Sequence, residues 1–212
     1  MAKIFSGAAR INASRVVGPL ARGLLRIGIS PDVVTIVGTL GVVAGALGFA
    51  TRGHVLVAAL VVAGFALVDT LDGAMARARG YTTRFGAFLD SSLDRVADGA
   101  IFGAIAYWYA TLGEHPTLAA ALLCLVTGQV ISYVKARAQS VGIECDVGLA
   151  ERAERLLVVG IGALATGLGV GWGLPAALWV LVGLSLFTVG QRFVHVYRVD
   201  RRESSQRSGA AG

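Results

Sequence analysis

The sequence predicts an all-α integral membrane protein with six transmembrane helices preceded by an N-terminal amphipathic surface helix. Of its 212 residues, 55% are hydrophobic and only 15% are charged, whereas soluble domains carry about a quarter charged residues. The mean hydropathy is +0.70. Residues 33–50, 55–68 and 156–170 contain no charge, and a spanning helix needs about 20 mainly apolar residues. A soluble core of this size could not bury so many uncharged helices.

The surface helix is predicted over residues 8–29, and a loose basic tail is the alternative interpretation. Its apolar and basic residues recur at helical spacing on two different faces: Val16, Leu20, Leu24 and Ile27 on one, and Arg15, Arg22 and Arg26 on the other. Ser30 and Pro31 then predict the start of the first span, with Ser30 as N-cap and Pro31 at the first helical position.

The six spans follow as charge-poor segments separated by short turns that contain Gly or Pro. They cover approximately residues 31–51, 55–79, 86–112, 116–140, 154–172 and 175–197. We therefore expect a single membrane domain over residues 1–200, in which the spans occupy 31–197. Residues 201–212 are rich in Ser, Gly and Gln, which predicts a disordered cytoplasmic tail.

The net charge of +6 does not indicate a nucleic-acid partner, because its distribution follows the topology. With six spans, eighteen of the 19 Lys and Arg residues fall on one side of the membrane and only Arg52 falls on the other. The positive-inside tendency makes the basic side cytoplasmic. The sequence thus predicts a multi-pass protein of the cell membrane, with both termini facing the cytoplasm and the basic residues facing anionic lipid headgroups.

Four aspartates interrupt two of the apolar segments. Asp69 and Asp72 are three residues apart, and Asp90 and Asp94 are four apart, so each pair shares one helix face. An isolated charge in a bilayer costs roughly 2.5–3.5 kcal/mol on insertion scales. If the two helices form an antiparallel hairpin, the four carboxylates converge and need cations. Their oxygen ligands suit Mg²⁺, Mn²⁺ or Ca²⁺, and two such ions form a clamp for displacement at phosphorus.

Pairing with nearby arginines is the alternative explanation for these aspartates. Arg77, Arg84 and Arg95 are all near enough in sequence to neutralise them. Such pairing is common for charges within membranes. It does not account for the regular double spacing.

The segment from Asp69 to Asp94 reads D-x2-D-G-x2-A-R-x8-G-x3-D-x3-D. At every defined position it resembles the signature of the CDP-alcohol phosphotransferases. The resemblance implies that Asp69, Asp72 and Asp90 ligate metal, and that Asp94 contacts a second metal and acts as general base. The implied cofactor is a pair of Mg²⁺ ions, with Mn²⁺ as an alternative.

The same resemblance implies a binding site for a CDP-activated lipid. Gly73, where a side chain would crowd the nucleotide, and Arg77, a planar cationic fork, would contact the cytidine diphosphate. Thr83 lies where the family places a further nucleotide contact. The start of the first span would close the site through Asp32, Val33, Val34 and Thr35. Taken singly, Gly73 also fits a packing position, Thr83 a loop, and Asp32 a helix start favoured by the dipole.

The acceptor is predicted from the residues around the last aspartate. The run Asp90-Ser-Ser-Leu-Asp94-Arg95 is similar to the branch of the family that uses inositol-type acceptors. A second basic cluster, near the cytoplasmic ends of the last three spans, would bind a phosphate on the acceptor through charge-assisted hydrogen bonds: Ser132, Lys135, Arg152, Arg155 and Arg192. A cluster set by membrane topology alone, with no ligand, is the alternative.

The resemblance implies transfer of the phosphatidyl group of CDP-diacylglycerol to an inositol phosphate, with release of CMP and formation of phosphatidylinositol phosphate. Glycerol phosphate or free inositol as the acceptor is the first alternative. A small cation or metabolite transporter, with the aspartates as ion sites, is a more distant one. The resemblance also implies a homodimer.

Overall fold

The computed structural model describes residues 18–81 and 83–210, without the side chains of Asp69, Thr70, Glu203 and residues 206–210. Over these residues the chain is helical and contains no strand. It divides into two compact units, the first ending at Trp108 and the second beginning at Tyr109.

The first unit contains helix α1 (Pro31–Phe49), a 3-10 turn (Ala50–Arg52), helix α2 (Val55–Arg79) and most of helix α3 (Arg84–Thr111). Ser30 caps α1 as predicted: its hydroxyl oxygen accepts the Val33 N–H at 3.3 Å, and Pro31 lies in the first turn. Glycine allows α1 and α2 to pack closely, since a Cβ on Gly45 would lie 2.6 Å from Val61 Cγ1.

Residues 18–26, which precede α1, are helical. Ala21 is fully buried in an apolar cluster with Val34, Leu71 and Met75. Leu20 and Ile27 are 56% and 72% exposed, which leaves apolar side chains available to a membrane surface. Residues 8–17 of the predicted surface helix lie outside the described residues, so the full helix stays a prediction.

The second unit contains helix α4 (His115–Ser140), helix α5 (Arg152–Gly167) and helix α6 (Gly173–Ala210). Thr166 fixes the turn between the last two helices, because its hydroxyl oxygen accepts the Leu174 N–H at 2.7 Å. Gly173 permits a close approach there, since a Cβ at this position would lie 2.8 Å from Ala165 Cβ. Cys124 on α4 lies 3.3 Å from the carbonyl oxygen of Leu178 on α6, so α6 packs against both α4 and α5.

Four of the helical segments are long and apolar enough to cross a membrane: Pro31–Arg52, Val55–Arg79, His115–Ser140 and Gly173–Arg202. The chain is therefore a multi-pass membrane protein. Helix α3 carries four charged residues between positions 90 and 98, namely Asp90, Asp94, Arg95 and Asp98. Helix α5 has only 16 residues, or about 24 Å, against a hydrocarbon core of about 30 Å. The described residues thus contain four candidate spans, and the count of six, with α3 and α5 as the other two, stays a prediction.

The structure differs from the disordered tail predicted over residues 201–212 only where it describes the tail, and residues 211–212 lie outside the described residues. Helix α6 continues to Ala210, so residues 201–210 are helical. No Gly or Pro occurs between Gly190 and Gly209 to end the helix. Ser205 donates a hydrogen bond to the Arg201 carbonyl at 2.9 Å, and the Arg201 guanidinium lies 5.5 Å from the centre of the Tyr197 ring. These local contacts stabilise a helical continuation that composition alone did not predict.

Candidate functional site

A cavity of about 220 Å³ lies in the first unit where α1, the end of α2 and the start of α3 meet. It brings together six of the predicted site residues: Asp32, Thr35, Asp72, Gly73, Thr83 and Asp90. Its other lining residues are Pro31, Ala76, Arg79, Tyr81, Gly86 and Ala87. The two halves of the aspartate motif therefore meet at one site, as the hairpin hypothesis requires.

Asp72 is oriented through both of its carboxylate oxygens. The Thr35 hydroxyl on α1 lies 2.5 Å from Oδ2, and the Gly73 N–H donates to Oδ1. Thr35 is only 4% exposed, so its side chain is packed in the protein beside the cavity. A carboxylate has about four lone-pair sites, so a carboxylate that donors hold in place can also bind a cation.

Thr83 and Gly86 shape the start of α3. The Gly86 N–H donates to the Thr83 hydroxyl oxygen at 2.9 Å. A Cβ at Gly86 would lie 2.9 Å from that oxygen and 3.1 Å from Asp32 Oδ1. Glycine thus allows the start of α3 to approach the start of α1 closely, and Thr83 is a helix cap that also lines the cavity.

Gly73 has no such packing reason. Among the described atoms, a Cβ at this position would meet only Arg77 Nη1, at 3.4 Å. Helix interiors disfavour glycine by about 1 kcal/mol relative to alanine. The space beside Gly73 is open to the cavity, which favours the interpretation that a ligand, and not a neighbouring helix, requires the glycine.

Four of the predicted residues described in the first unit do not line the cavity. Val34 is 7% exposed and packs in the apolar cluster beneath the 18–26 segment, whereas Val33 is 48% exposed. Arg77 is exposed on α2 beside Gly73. Asp94 follows Asp90 by one helical turn on α3. The side chain of Asp69 lies outside the described residues, so its role stays a prediction.

Asp94 belongs to a charged group on α3 that also contains Arg95 and Asp98. The sequence analysis named Asp94 and Arg95 but not Asp98. Arg95 Nη2 lies 3.8 Å from Asp94 Oδ2 and 3.8 Å from Asp98 Oδ2. Asp98 is only 3% exposed. The alternative explanation, in which arginines neutralise the aspartates, thus applies in part to Asp94, which lies near Arg95. Asp98 continues the four-residue spacing of Asp90 and Asp94, a signal that could have identified it.

The donor atoms at the cavity fit a hard divalent cation. They are carboxylate and hydroxyl oxygens, and no His or Cys is among the lining residues, a set that suits Mg²⁺ or Mn²⁺. Within the described side chains, which exclude Asp69, no three acidic, His or Cys residues are close enough to hold one ion. The four-aspartate ligand set therefore stays a prediction.

Arg79 and Tyr81 line the cavity and were not predicted. The Arg79 guanidinium carbon lies 5.0 Å from the centre of the Tyr81 ring. Among the described lining residues Arg79 is the single cationic side chain. The sequence signal was a second arginine two residues after Arg77, but periodicity alone did not place it at the cavity.

In the second unit, Arg192 of the predicted basic cluster is 2% exposed. Its Nε donates to the Val147 carbonyl at 2.8 Å and its Nη1 to the Ile131 carbonyl at 2.5 Å. Nη2 lies 3.5 Å from Glu151 Oε1. Arg192 therefore ties α6 to α4 and to the connection before α5, so burial of this cation does not by itself require a phosphate.

Arg155 is equally buried, at 1% exposure. Its Nη1 donates to the Gly128 carbonyl at 3.1 Å, and a Cβ on Gly128 would lie 2.9 Å from the same nitrogen. Ser132 donates to that carbonyl as well, at 3.2 Å. The structure thus brings Ser132 and Arg155 to one point on α4.

Lys135 is the more accessible cation, with its side chain 36% exposed. Its Nζ lies 2.5 Å from Asp146 Oδ1 in the connection between α4 and α5. The hydrogen bond from Lys135 and its positive charge lower the pKa of Asp146 below its usual value. Asp146 was not among the predicted site residues. Arg152 is half-buried at the start of α5.

These features define a class: an α-helical, multi-pass membrane protein with an oxygen-lined acidic cavity at the ends of its helices. Residues 28–191 match the CDP-alcohol phosphatidyltransferase family. The chain belongs to this family, and it is a transferase. The motif resemblance is thereby confirmed, and the transporter hypothesis is wrong.

Individual relatives agree. The chain is 50% identical over 188 residues to phosphatidylinositol phosphate synthase from Mycobacterium marinum, covering 87% of this chain and 80% of the relative. The crystal structure of phosphatidylinositol phosphate synthase from Mycobacterium tuberculosis with CDP-DAG bound matches with a TM-score of 0.83 at 47% identity, covering 86% of this chain and 94% of that one. The same enzyme in complex with manganese and citrate matches with a TM-score of 0.82 at 47% identity, covering 85% and 88%.

Proposed function

We propose that this enzyme transfers the phosphatidyl group of CDP-diacylglycerol to an inositol phosphate and releases CMP. The observation that carries the proposal is the cavity of the first unit, where Asp72 and Gly73 of the family signature face Asp32 and Asp90. The identity to phosphatidylinositol phosphate synthases supports the choice of acceptor.

The donor nucleotide binds against the open side of α2. Gly73 leaves space for the diphosphate, and Arg77 lies beside it. Thr83, Asp32 and Thr35 lie around the same cavity. Val33 and Val34 contribute to donor binding indirectly, because they shape the start of α1.

Asp69, Asp72, Asp90 and Asp94 hold the divalent metal, as a pair of Mg²⁺ ions or of Mn²⁺ ions. The relative crystallised with manganese and citrate supports a divalent ion. The bound metal neutralises the diphosphate and the charge that develops on the leaving group. The Thr35 and Gly73 contacts fix the orientation of the Asp72 carboxylate, as outer partners of metal ligands do.

The reaction is a direct displacement. A hydroxyl oxygen of the acceptor forms a bond to the lipid-side phosphorus, the bond from that phosphorus to the oxygen of CMP breaks, and CMP leaves with the electron pair. Asp94 accepts the hydroxyl proton as general base. Since donor and acceptor react directly, no covalent intermediate with the enzyme is needed.

The acceptor's phosphate binds to the basic cluster of the second unit. Lys135 and Arg152 are the accessible cations, and Ser132 adds a hydroxyl. Arg155 and Arg192 contribute positive charge while they hold α4, α5 and α6 in place. Arginine and lysine bind phosphate through charge-assisted hydrogen bonds.

The proposal also includes the topology and assembly expected from the sequence. The chain crosses the cell membrane six times with both termini and the active site on the cytoplasmic side, and it forms a homodimer. The 18–26 segment, with Leu20 and Ile27 exposed, lies against the membrane surface. Cysteine labelling from each side of intact cells tests the orientation.

The direct test supplies the purified protein with CDP-diacylglycerol, Mg²⁺ and one acceptor at a time, namely inositol phosphate, inositol or glycerol phosphate. We expect phosphatidylinositol phosphate from the first. Efficient product from inositol or glycerol phosphate would contradict the acceptor assignment, and no lipid product from any acceptor would contradict the proposal as a whole.

Two controls belong to this assay. Exhaustive chelation should abolish turnover, and added Mg²⁺ or Mn²⁺ should restore it. Asp72→Asn should lose activity, whereas Asp200→Asn, which removes an exposed carboxylate on α6, should not. Full activity after chelation would contradict the metal assignment.

A further inference from the structure

We infer that Arg79 and Tyr81 form a second cationic contact to the donor nucleotide, in which the Tyr81 ring holds the Arg79 guanidinium in position at the cavity. This inference rests on the proposed function, because it names a further part of the same donor site. It assigns a role to two residues at positions that the aspartate signature leaves undefined.

The first step is geometric. Arg79 is the last residue of α2, and Gly80 ends the helix with a left-handed backbone, at a φ of 83°. The Gly80 N–H donates to the Arg77 carbonyl at 3.2 Å. This turn carries Tyr81 back against Arg79, so that the guanidinium carbon lies 5.0 Å from the ring centre. Both side chains line the cavity.

The second step concerns charge. Asp32, Asp72 and Asp90 line the cavity, and Arg79 is the single cation among its described lining residues. A bound divalent metal would offset the negative charge of these carboxylates. The donor diphosphate brings further negative charge, and the planar guanidinium binds phosphate through two parallel hydrogen bonds. The Arg79 side chain is placed to supply them.

The third step excludes a simpler role. A basic residue at the end of a helix is favoured by the helix dipole, and this effect alone accounts for a cation near the end of α2. It does not account for an aromatic ring over one face of the guanidinium while the group lines a cavity. A cation held by a ring loses less freedom when it binds a ligand, which raises affinity.

The chain contains a matched control for this arrangement. Arg201 and Tyr197 on α6 form a pair of the same kind, with the guanidinium carbon 5.5 Å from the ring centre. This pair belongs to the second unit and does not line the cavity. Substitutions there change the same kind of contact between residues that are not in the cavity lining.

The test measures binding of CMP to the purified protein in Mg²⁺ by calorimetry, together with the KM for CDP-diacylglycerol. We expect Arg79→Ala to raise both the Kd and this KM about tenfold, in line with a charged hydrogen bond. Tyr81→Leu should raise them about threefold, the scale of an exposed cation–π contact, and Tyr81→Phe, which keeps the ring, should raise them less. The KM for the acceptor should change little.

The outcomes separate the two levels of the proposal. If the wild type binds CMP and Arg79→Ala and Tyr81→Leu bind it as tightly as Arg201→Ala and Tyr197→Leu do, the inference is wrong and the proposed function stands. If the wild type neither binds CMP nor forms lipid product, both are wrong. A loss confined to the Arg79 and Tyr81 variants, at normal thermal stability, supports the inference.

Discussion

The hydroxyl of Thr35 on α1 lies 2.5 Å from the Oδ2 of Asp72 on α2. This contact joins two helices at the point where the proposed metal and nucleotide meet. It fixes a carboxylate whose other oxygen accepts the Gly73 N–H. The first helix therefore contributes to the site through a hydroxyl that orients a ligand.

Replacing Thr35 with valine keeps the shape of the side chain and removes the hydroxyl. We expect turnover or metal affinity to fall about 10- to 100-fold, the range for loss of an outer partner of a metal ligand. Activity measured as a function of Mn²⁺ concentration checks this, and Thr35→Ser should lose less. Thr39→Val, one turn further along α1 and equally buried, is the matched control. An equal loss in the two valine variants would contradict the specific role of Thr35.

Gly73→Ala tests whether a ligand requires the glycine on α2. The added methyl group has space within the protein, so the fold should be retained. It would crowd a bound diphosphate, and the KM for CDP-diacylglycerol should rise about tenfold, the scale of overpacking by 1–3 kcal/mol. Gly64→Ala lies on the same helix with no described atom within 4 Å of its added Cβ. Identical kinetics for the two variants would show that Gly73 does not contact the donor.

Much of this site could be predicted from the sequence because the signals are local. The spacing of Asp72 and Asp90 within apolar segments predicted a shared site, and hydropathy predicted helix α2 over 55–79, the bounds that the structure shows. The Ser30–Pro31 start of α1 was likewise confirmed.

The remaining features depend on long-range or irregular structure. Tyr81 reaches the cavity because of the left-handed turn at Gly80, which has no periodic signature. The connection between α4 and α5 is not helical, so no spacing rule could show that Lys135 pairs with Asp146 and not with Glu144 or Glu151. Helix α6 outlasts its apolar run because local contacts continue it.

Asp94→Asn separates proton transfer from ion pairing on α3. Asparagine keeps the size and one oxygen but cannot accept the proton, so kcat should fall at least about 10²-fold while CMP binding is better retained. Asp98→Asn removes the other partner of Arg95 without removing the proposed base. Steady-state kinetics of both variants check this. An equal loss of kcat in the two variants would mean that the ion pairs with Arg95, and not proton transfer to Asp94, cause the effect.

The Lys135–Asp146 pair predicts opposite effects of two substitutions on the acceptor. Lys135→Ala should raise the KM for inositol phosphate about tenfold, the scale of a lost charged hydrogen bond. Asp146→Asn should lower that KM, because Asp146 competes with the phosphate for Lys135. Glu144→Gln removes a charge from the same connection and is the control. A higher KM in Asp146→Asn than in the control would contradict this competition.

The pH dependence of this pair follows from the lowered pKa of Asp146. An unperturbed aspartate has a pKa of about 3.9. Above that pH the ion pair contributes fully to stability, and its contribution is lost as the pH falls through the lower pKa that Asp146 has in the folded protein. The difference in thermal stability between the wild type and Asp146→Asn should therefore persist at neutral pH and disappear in strong acid.

The central claim is direct transfer of a phosphatidyl group to an acceptor that keeps its own phosphate. It is tested by counting products from CDP-diacylglycerol and inositol phosphate. We predict one CMP for each lipid formed and no CMP release when the acceptor is absent. The mass of the lipid should show two phosphorus atoms, one from the phosphatidyl group and one from the phosphate of the acceptor. Release of inorganic phosphate, a lipid with a single phosphorus atom, or equal CMP release without acceptor would contradict it.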